Sequence, residues 1–229
     1  MTDSSLPERR AFLGKLAAGA VALGLTGSVS QAFAAERPPA SDLKPSDKWL
    51  ESVTGKHRQF FDMPSHQNGL GLIHVRNYLN TLRDTYHVQH PEATAVVGLY
   101  GGTTLLGFND AMWKKYDLGK TLKVMDGTNT PATGNVFYVA PPGAASLSVT
   151  GAPLSLPADT SISALQQRGA VFIVCNNAFN LWMGLLGGAK SAELRTEFEA
   201  NMLPGMFLVP AMVVAVNQAQ MHGCTYMYL

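Results

Sequence analysis

Ala170-Val171-Phe172-Ile173-Val174-Cys175-Asn176-Asn177-Ala178 is the stretch whose reading decides the fold. Its first six residues are apolar, rich in β-branched side chains and without alternation, which predicts a strand buried on both faces. Gly169 stops a helix expected over Ile162 to Gln167 just before it, and helical spacing resumes from Ala178 to Leu186. Working outward, Gly187-Gly188 separates that helix from another over Ala192 to Met202. Met206-Phe207-Leu208-Val209 predicts a strand, Pro210 starts a helix running to Gln220, and Gly223 ends it. Thr225 to Leu229 is the last strand.

The same rhythm runs upstream. Arg58 to Asp62 is a short strand ended by Met63-Pro64, and Leu72, Val75, Leu79, Leu82 and Tyr86 recur at helical spacing. Ala95 to Tyr100 is a continuous apolar strand punctuated by Gly101-Gly102, after which Asn109 or Asp110 caps a helix through Met112, Trp113 and Tyr116. Five strands alternating with helices predict a parallel sheet covered on both faces. The expected fold class is therefore α/β, a three-layer α/β/α sandwich with a five-stranded, mainly parallel sheet, flavodoxin-like in broad class. Nothing repeats internally, and the strand order is not specified by the pattern.

Two segments interrupt this plan. Residues 126–160 carry repeated Gly and Pro and read as an irregular insertion, either a functional or partner-facing arm or a variable surface loop. Val136 to Val139 is a candidate short strand inside it. Residues 35–55 are rich in Pro, Ser, Lys and Asp and read as a linker with one helical turn around Trp49. The domain proper is expected over residues 56–229.

Residues 1–34 read as an export signal. Arg9-Arg10-Ala11-Phe12-Leu13 precedes a short run rich in Ala and Gly from Leu16 to Leu25, then Ala32-Phe33-Ala34. That order is a positive n-region, an apolar h-region and a small-residue cleavage site. Arg9 and Arg10 followed by x-Phe-Leu resemble a twin-arginine signal, with Glu8 standing where Ser or Thr is usual. The competing reading, a membrane anchor, needs about 20 predominantly apolar residues, and Leu16 to Ser30 is shorter and richer in small residues. Cleavage after Ala34 is expected to release a periplasmic or otherwise exported protein with no lasting membrane anchor. Its first partner is then the twin-arginine export machinery.

Charge narrows the function classes. The chain of 229 residues has 17 Lys and Arg against 16 Asp and Glu, and is 46% hydrophobic. Removing residues 1–34 takes away Arg9, Arg10, Lys15, Asp3 and Glu8, which leaves fourteen of each sign. A neutral domain without a basic run has no electrostatic footprint for nucleic acid.

In an open parallel sheet, ligands bind beyond the carboxyl ends of the strands. That rule selects three loops for one rim: Asp62-Met63-Pro64-Ser65-His66, Tyr100-Gly101-Gly102-Thr103-Thr104 and Cys175-Asn176-Asn177. Cys175 closes a buried strand and precedes a helix start, where free N–H groups and the helix dipole stabilise a thiolate. Set against this, free cysteine is among the most buried residue types and packs as a small hydrophobe. His66 is a candidate proton partner for it, or an exposed loop histidine. Ser65, Gly101, Gly102, Thr103, Asn176 and Asn177 are candidate ligand-binding residues of the rim. Gly101-Gly102-Thr103 lacks both the G-x-G-x-x-G pattern and a Walker lysine, so it is a weak nucleotide signal. His87 and His90 have no third ligand in register, so no metal site is expected. A Cys175–Cys224 disulfide is disfavoured, because Cys224 opens the last strand and belongs at the opposite rim.

The carboxyl half resembles the DsrE/DsrF-like sulfur-relay superfamily, through Val171-Phe172-Ile173-Val174-Cys175-Asn176-Asn177-Ala178, Leu203-Pro204-Gly205, Val209-Pro210-Ala211-Met212-Val213, Ala219-Gln220 and Gly223. Phe61-Asp62, Asn77-Tyr78-Leu79-Asn80 and Gly101-Gly102 extend the resemblance, which covers roughly residues 57–229. It implies a parallel α/β sandwich that assembles into trimers or hexamers, with Cys175 at the position that carries persulfide sulfur in some members. The export signal and the 126–160 insertion depart from the characterised relay proteins. The leading expectation is an exported protein that binds or relays sulfur through Cys175. The alternative is a non-catalytic oligomeric binding module of the bacterial envelope. A protein loaded with a redox cofactor before export is a third reading, supported only by the signal, and the sequence names no cofactor.

Overall fold

A computed structural model describes residues 43–229. The proposed signal, with Arg9, Arg10 and the cleavage point after Ala34, lies outside the described residues, as does the first part of the expected linker.

The expected sandwich is what forms. Five strands, β1 (His57–Met63), β2 (Ala93–Leu99), β3 (Val171–Cys175), β4 (Met206–Val209) and β5 (Thr225–Tyr228), make one sheet in the order β4-β3-β2-β1-β5. Every pairing is parallel. The longer helices are α1 (Leu70–Tyr86), α2 (Asp110–Lys115), α3 (Leu118–Leu122), α4 (Ile162–Gln167), α5 (Asn176–Gly187), α6 (Ser191–Ala200) and α7 (Met212–Met221). Asn109 caps α2 and Ser161 caps α4, each accepting a backbone N–H through its side chain.

Alternation along the strands divides the core in two. Phe61, Met63, Val97, Leu99, Phe172 and Val174 face one side, with α1 to α6 packed over them. Phe60, Val96, Val171, Ile173, Cys175 and Val209 face the other, covered by α7 and by the residues around Trp49. The strand order explains this asymmetry. Steps from β1 to β2, β3 and β4 all move the same way across the sheet, and right-handed crossovers then put their helices on one face. The return from β4 to β5 moves the opposite way, so its single helix, α7, lands on the other face.

Residues 43–55 contain the helical turn expected around Trp49, as the 3-10 helix Pro45–Ser52, which buries Trp49 and Leu50 in the second core together with Val53. Burying that much apolar surface makes the segment part of the domain. Val136–Val139 is a turn rather than a strand. Its neighbour Asn135 is buried and donates to the carbonyls of Leu106 and Phe108, which fastens the backbone in a non-extended path. The rest of 126–160 is irregular but integral, since Phe137, Leu147 and Leu156 enter the first core. Gly119 makes this close packing feasible, because a Cβ there would sit 2.1 Å from the Ala132 carbonyl oxygen.

Candidate functional site

The sheet topology selects one place. β3 leads into α5 on the first face, whereas its neighbour β4 leads into α7 on the second. Adjacent strands whose exits go to opposite faces leave a crevice at their carboxyl ends, the switch point at which open α/β sheets bind ligands. Cys175 and Val209 are paired across these two strand ends. A cavity of about 350 Å³ opens there, walled by Cys175, Asn177 and Leu181 on one side and Ala211, Met212 and Val213 on the other. Asp62 and Tyr100 also line it.

Cys175 sits where two helix starts converge. It is the N-cap residue of α5, in extended conformation, and it is only 5% exposed. Its Sγ accepts a hydrogen bond of 3.3 Å from the backbone N–H of Met212, the first residue of α7. The sulfur therefore meets the first N–H of α7, whereas its side chain makes no cap hydrogen bond to α5. Cys224 precedes β5 at the amino end, and neither cysteine is in a disulfide. Three strand spacings, about 14 Å at ~4.8 Å each, separate β3 from β5. A bridge spans at most about 7 Å between Cα atoms.

Asp62, which the sequence places on the rim without giving it a role, is a further functional candidate. It stands on the second face of β1, two residues beyond Phe60, and is 6% exposed. Its Oδ2 accepts a hydrogen bond of 2.6 Å from the Tyr226 hydroxyl, while Oδ1 is buried without a hydrogen-bond partner. The phenol of Tyr226 is pushed up to about 12, first by that hydrogen bond and then by burial. Burial, followed by the charge of Asp62, pushes the Tyr100 phenol up as well. The signal was present in the strand: residues 60 and 62 alternate onto the same face as Ile173 and Cys175. Without the strand order, nothing paired Asp62 with Tyr226 or set it in one cavity with Cys175.

The other rim residues have different occupations. Asn177 lines the cavity with Cys175. Asn176 instead accepts from the Arg195 guanidinium at 2.8 Å, tying α5 to α6. The Thr103 hydroxyl is buried and contacts the carbonyls of Met63 and Tyr100, so it clasps the turn after β2 to β1. Gly102 N–H donates to the Pro64 carbonyl, and the Gly101 carbonyl accepts from the Trp182 indole. Gly101 adopts φ +58°, which a side chain disfavours. Ser65 is exposed and lines no part of the cavity.

His66 does not line the cavity either. Its Nδ1 accepts the Asn68 N–H and its Nε2 lies 3.0 Å from the Leu122 carbonyl, which assigns the neutral Nε2–H tautomer. Burial lowers its pKa, opposed by the Leu122 contact. The ring packs beside Phe137 of the first core, whereas Cys175 faces the second. Both nitrogens are therefore used in holding loops together.

Among the described residues, no group of three or more His, Cys, Asp or Glu side chains is placed to hold a metal ion. No helix among them is long and apolar enough to cross a membrane. Comparison of the sequence with family models, with curated proteins and with solved structures finds no match.

Proposed function

We propose that Cys175 carries sulfane sulfur as a persulfide in an exported DsrE-like protein. The observation that carries this reading is the position of its Sγ, at a cavity wall and against the first N–H of α7. The Cys175 sulfur attacks the outer sulfur of a small persulfide donor R–S–SH. A new S–S bond forms at Cys175, the donor's S–S bond breaks, and the departing R–S⁻ takes up the proton that Cys175 gave up. The products are Cys175–S–SH and R–SH, with no external oxidant or reductant. The Met212 N–H at the start of α7 is placed to donate to the sulfur that takes part in the transfer. The resemblance of residues 171–178 to the sulfur-relay superfamily and the signal-like residues 1–34 support this setting.

Loading with polysulfide, followed by intact-mass measurement, tests it. A gain of one or more sulfur atoms that disappears in Cys175→Ala supports the relay. An unchanged gain in Cys175→Ala, with Cys224→Ser as the parallel variant, refutes it.

A second reading has its own observation. Leu181 is 64% exposed and Val213 79% exposed at the cavity mouth, with Leu185 and Val214 also exposed nearby. An apolar rim of this kind suits a non-catalytic oligomeric binding module, in line with the trimers or hexamers that the resemblance implies. Solution mass separates the readings: a strict monomer that still loads sulfur removes the module.

A further inference from the structure

A second cavity lies at the opposite, amino end of the sheet. It encloses about 300 Å³ and is walled by Leu79 and Arg83 of α1, Gln89 and His90 of the loop before β2, and Gln167 and Arg168 at the end of α4. Nothing in the sulfur chemistry uses it.

Its charges do not balance locally. The Arg168 guanidinium lies close enough to feel repulsion from Arg83 and Arg76 and attraction from Asp159 and Asp84. Both carboxylates are already committed. Asp159 pairs with Arg76 at 2.5 Å, and Asp84 takes Arg83 in a two-bond fork at 2.7 and 3.0 Å. Arg168 has no ion pair among the described residues, and its Nη1 is buried without a hydrogen-bond partner. Arg168 as a whole is half-buried, and a guanidinium that keeps one N–H unmade is costly. Burial, joined by repulsion from Arg83, lowers the Arg168 pKa and records that cost. The cavity wall adds amide donors from two glutamines and an imidazole, and it includes no carboxylate.

We propose that this cavity binds a small oxyanion, held by the Arg168 guanidinium with Arg83 beside it and Leu79 against any apolar portion. A planar guanidinium presents two parallel N–H donors that match phosphate and carboxylate oxygens. The site is independent of Cys175, which faces the other end of the sheet.

Isothermal titration of the full chain at low ionic strength, with inorganic phosphate and separately with acetate, tests this. Saturable binding to one site is expected, with the preferred anion telling a phosphate-bearing ligand from a carboxylate. Arg168→Gln is expected to weaken it by about tenfold or more, as expected for loss of a charge-assisted pair. Arg168→Lys, which keeps the charge and loses the fork, should fall between. Thermal unfolding of Arg168→Gln should stay level or rise, because the variant removes an unpartnered cation. Cys175→Ala should bind as the parent does. Absence of saturable binding for both anions, or binding that Arg168→Gln and Arg168→Lys leave unchanged, overturns the proposal.

Discussion

Gly98 offers the sharpest test of how the cysteine cavity is built. It lies in β2, between Asp62 of β1 and Ile173 of β3. A Cβ at this position would stand 2.7 Å from Met212 Sδ, 2.9 Å from Phe60 Cζ and 3.1 Å from Phe60 Cε1. The missing side chain is therefore what lets the first turn of α7 settle on the sheet and bring the Met212 N–H to Cys175. Gly98→Ala forces the sulfur of Met212 outward by close to an ångström, on the order of what ordinary contact distances demand. The Phe60 ring is fully buried and has little room to yield. Overpacking of this kind costs about 1–3 kcal/mol, while replacing a strand glycine by alanine returns about 0.5–1 kcal/mol of chain entropy. The expected net loss is about 1–2 kcal/mol in equilibrium urea unfolding.

The collision with Met212 makes the effect non-additive. Met212→Ala alone should cost about 2–5 kcal/mol for a buried side chain. In Gly98→Ala with Met212→Ala the new methyl meets no sulfur, so the pair should be less destabilised than the sum by about 1 kcal/mol. Gly98→Ala should also slow sulfur loading, because the N–H donor retreats with the helix. Strict additivity of the two substitutions would falsify the packing argument, since it would mean that Met212 does not set the space above Gly98.

Three further outcomes follow from the same geometry. Trp49→Ala should destabilise the domain by about 3–5 kcal/mol, as for other fully buried aromatic side chains; a midpoint unchanged in urea would return the segment to the status of a linker. Folding lowers the His66 pKa below its ordinary 6.5, so its contribution is present above that value and lost as the pH falls through the folded pKa. His66→Gln should therefore flatten the loss of stability between about pH 7 and pH 5, and parallel curves for variant and parent would contradict this. Tyr226 is raised from 10.0 to about 12, so its share of stability is full below 10 and lost as the pH climbs towards 12. Tyr226→Phe should remove one late-ionising phenol from the ultraviolet titration and cost about 1–3 kcal/mol, because Oδ2 of buried Asp62 loses its donor; an unchanged titration refutes the assignment.

Most of the fold was legible in the residues because both of its periodicities are strong. The unbroken run from Val171 to Cys175 has five buried positions, and the spacing of Leu72, Val75, Leu79 and Leu82 marks the face that α1 buries. Strand order was not legible. It depends on long-range pairings, such as Asp62 with Tyr228, that no local pattern encodes. That gap hid the switch point between β3 and β4, and with it the reason that Cys175 and Met212 meet. It also spread the candidate rim over Ser65, Gly101, Gly102 and Thr103, loops that share the carboxyl edge but serve as turns and clasps. Trp49 went unplaced for a related reason: one aromatic ring in a polar, proline-bearing stretch has no periodicity to reveal which surface it covers.

The two walls of the cysteine cavity differ in how firmly they are held. The first wall, α5, is anchored by Phe179 and Met183 and by the packing of Phe108, Phe179 and Phe198 at ring separations of 4.9 to 6.3 Å. Arg195 adds contacts from α6 to Asn176 and Asn180. The second wall, α7, buries only Met212, Ala215 and Ala219, two of which have almost no side chain to bury. Segments with few buried apolar contacts open first, so we infer that α7 is the wall that moves when a ligand enters. The sulfur belongs to the firm wall and its N–H donor to the weak one. On the proposed relay reading, opening would admit a donor molecule and closing would restore the Met212 N–H against the sulfur. Native-state hydrogen exchange measures this directly. The amides of α7 should exchange well before those of α5 around Phe179 and Met183, with Ala215 and Ala219 ahead of Met183. Equal protection of the two helices would mean that the cavity opens only with the whole domain, and the division of roles between its walls would fail.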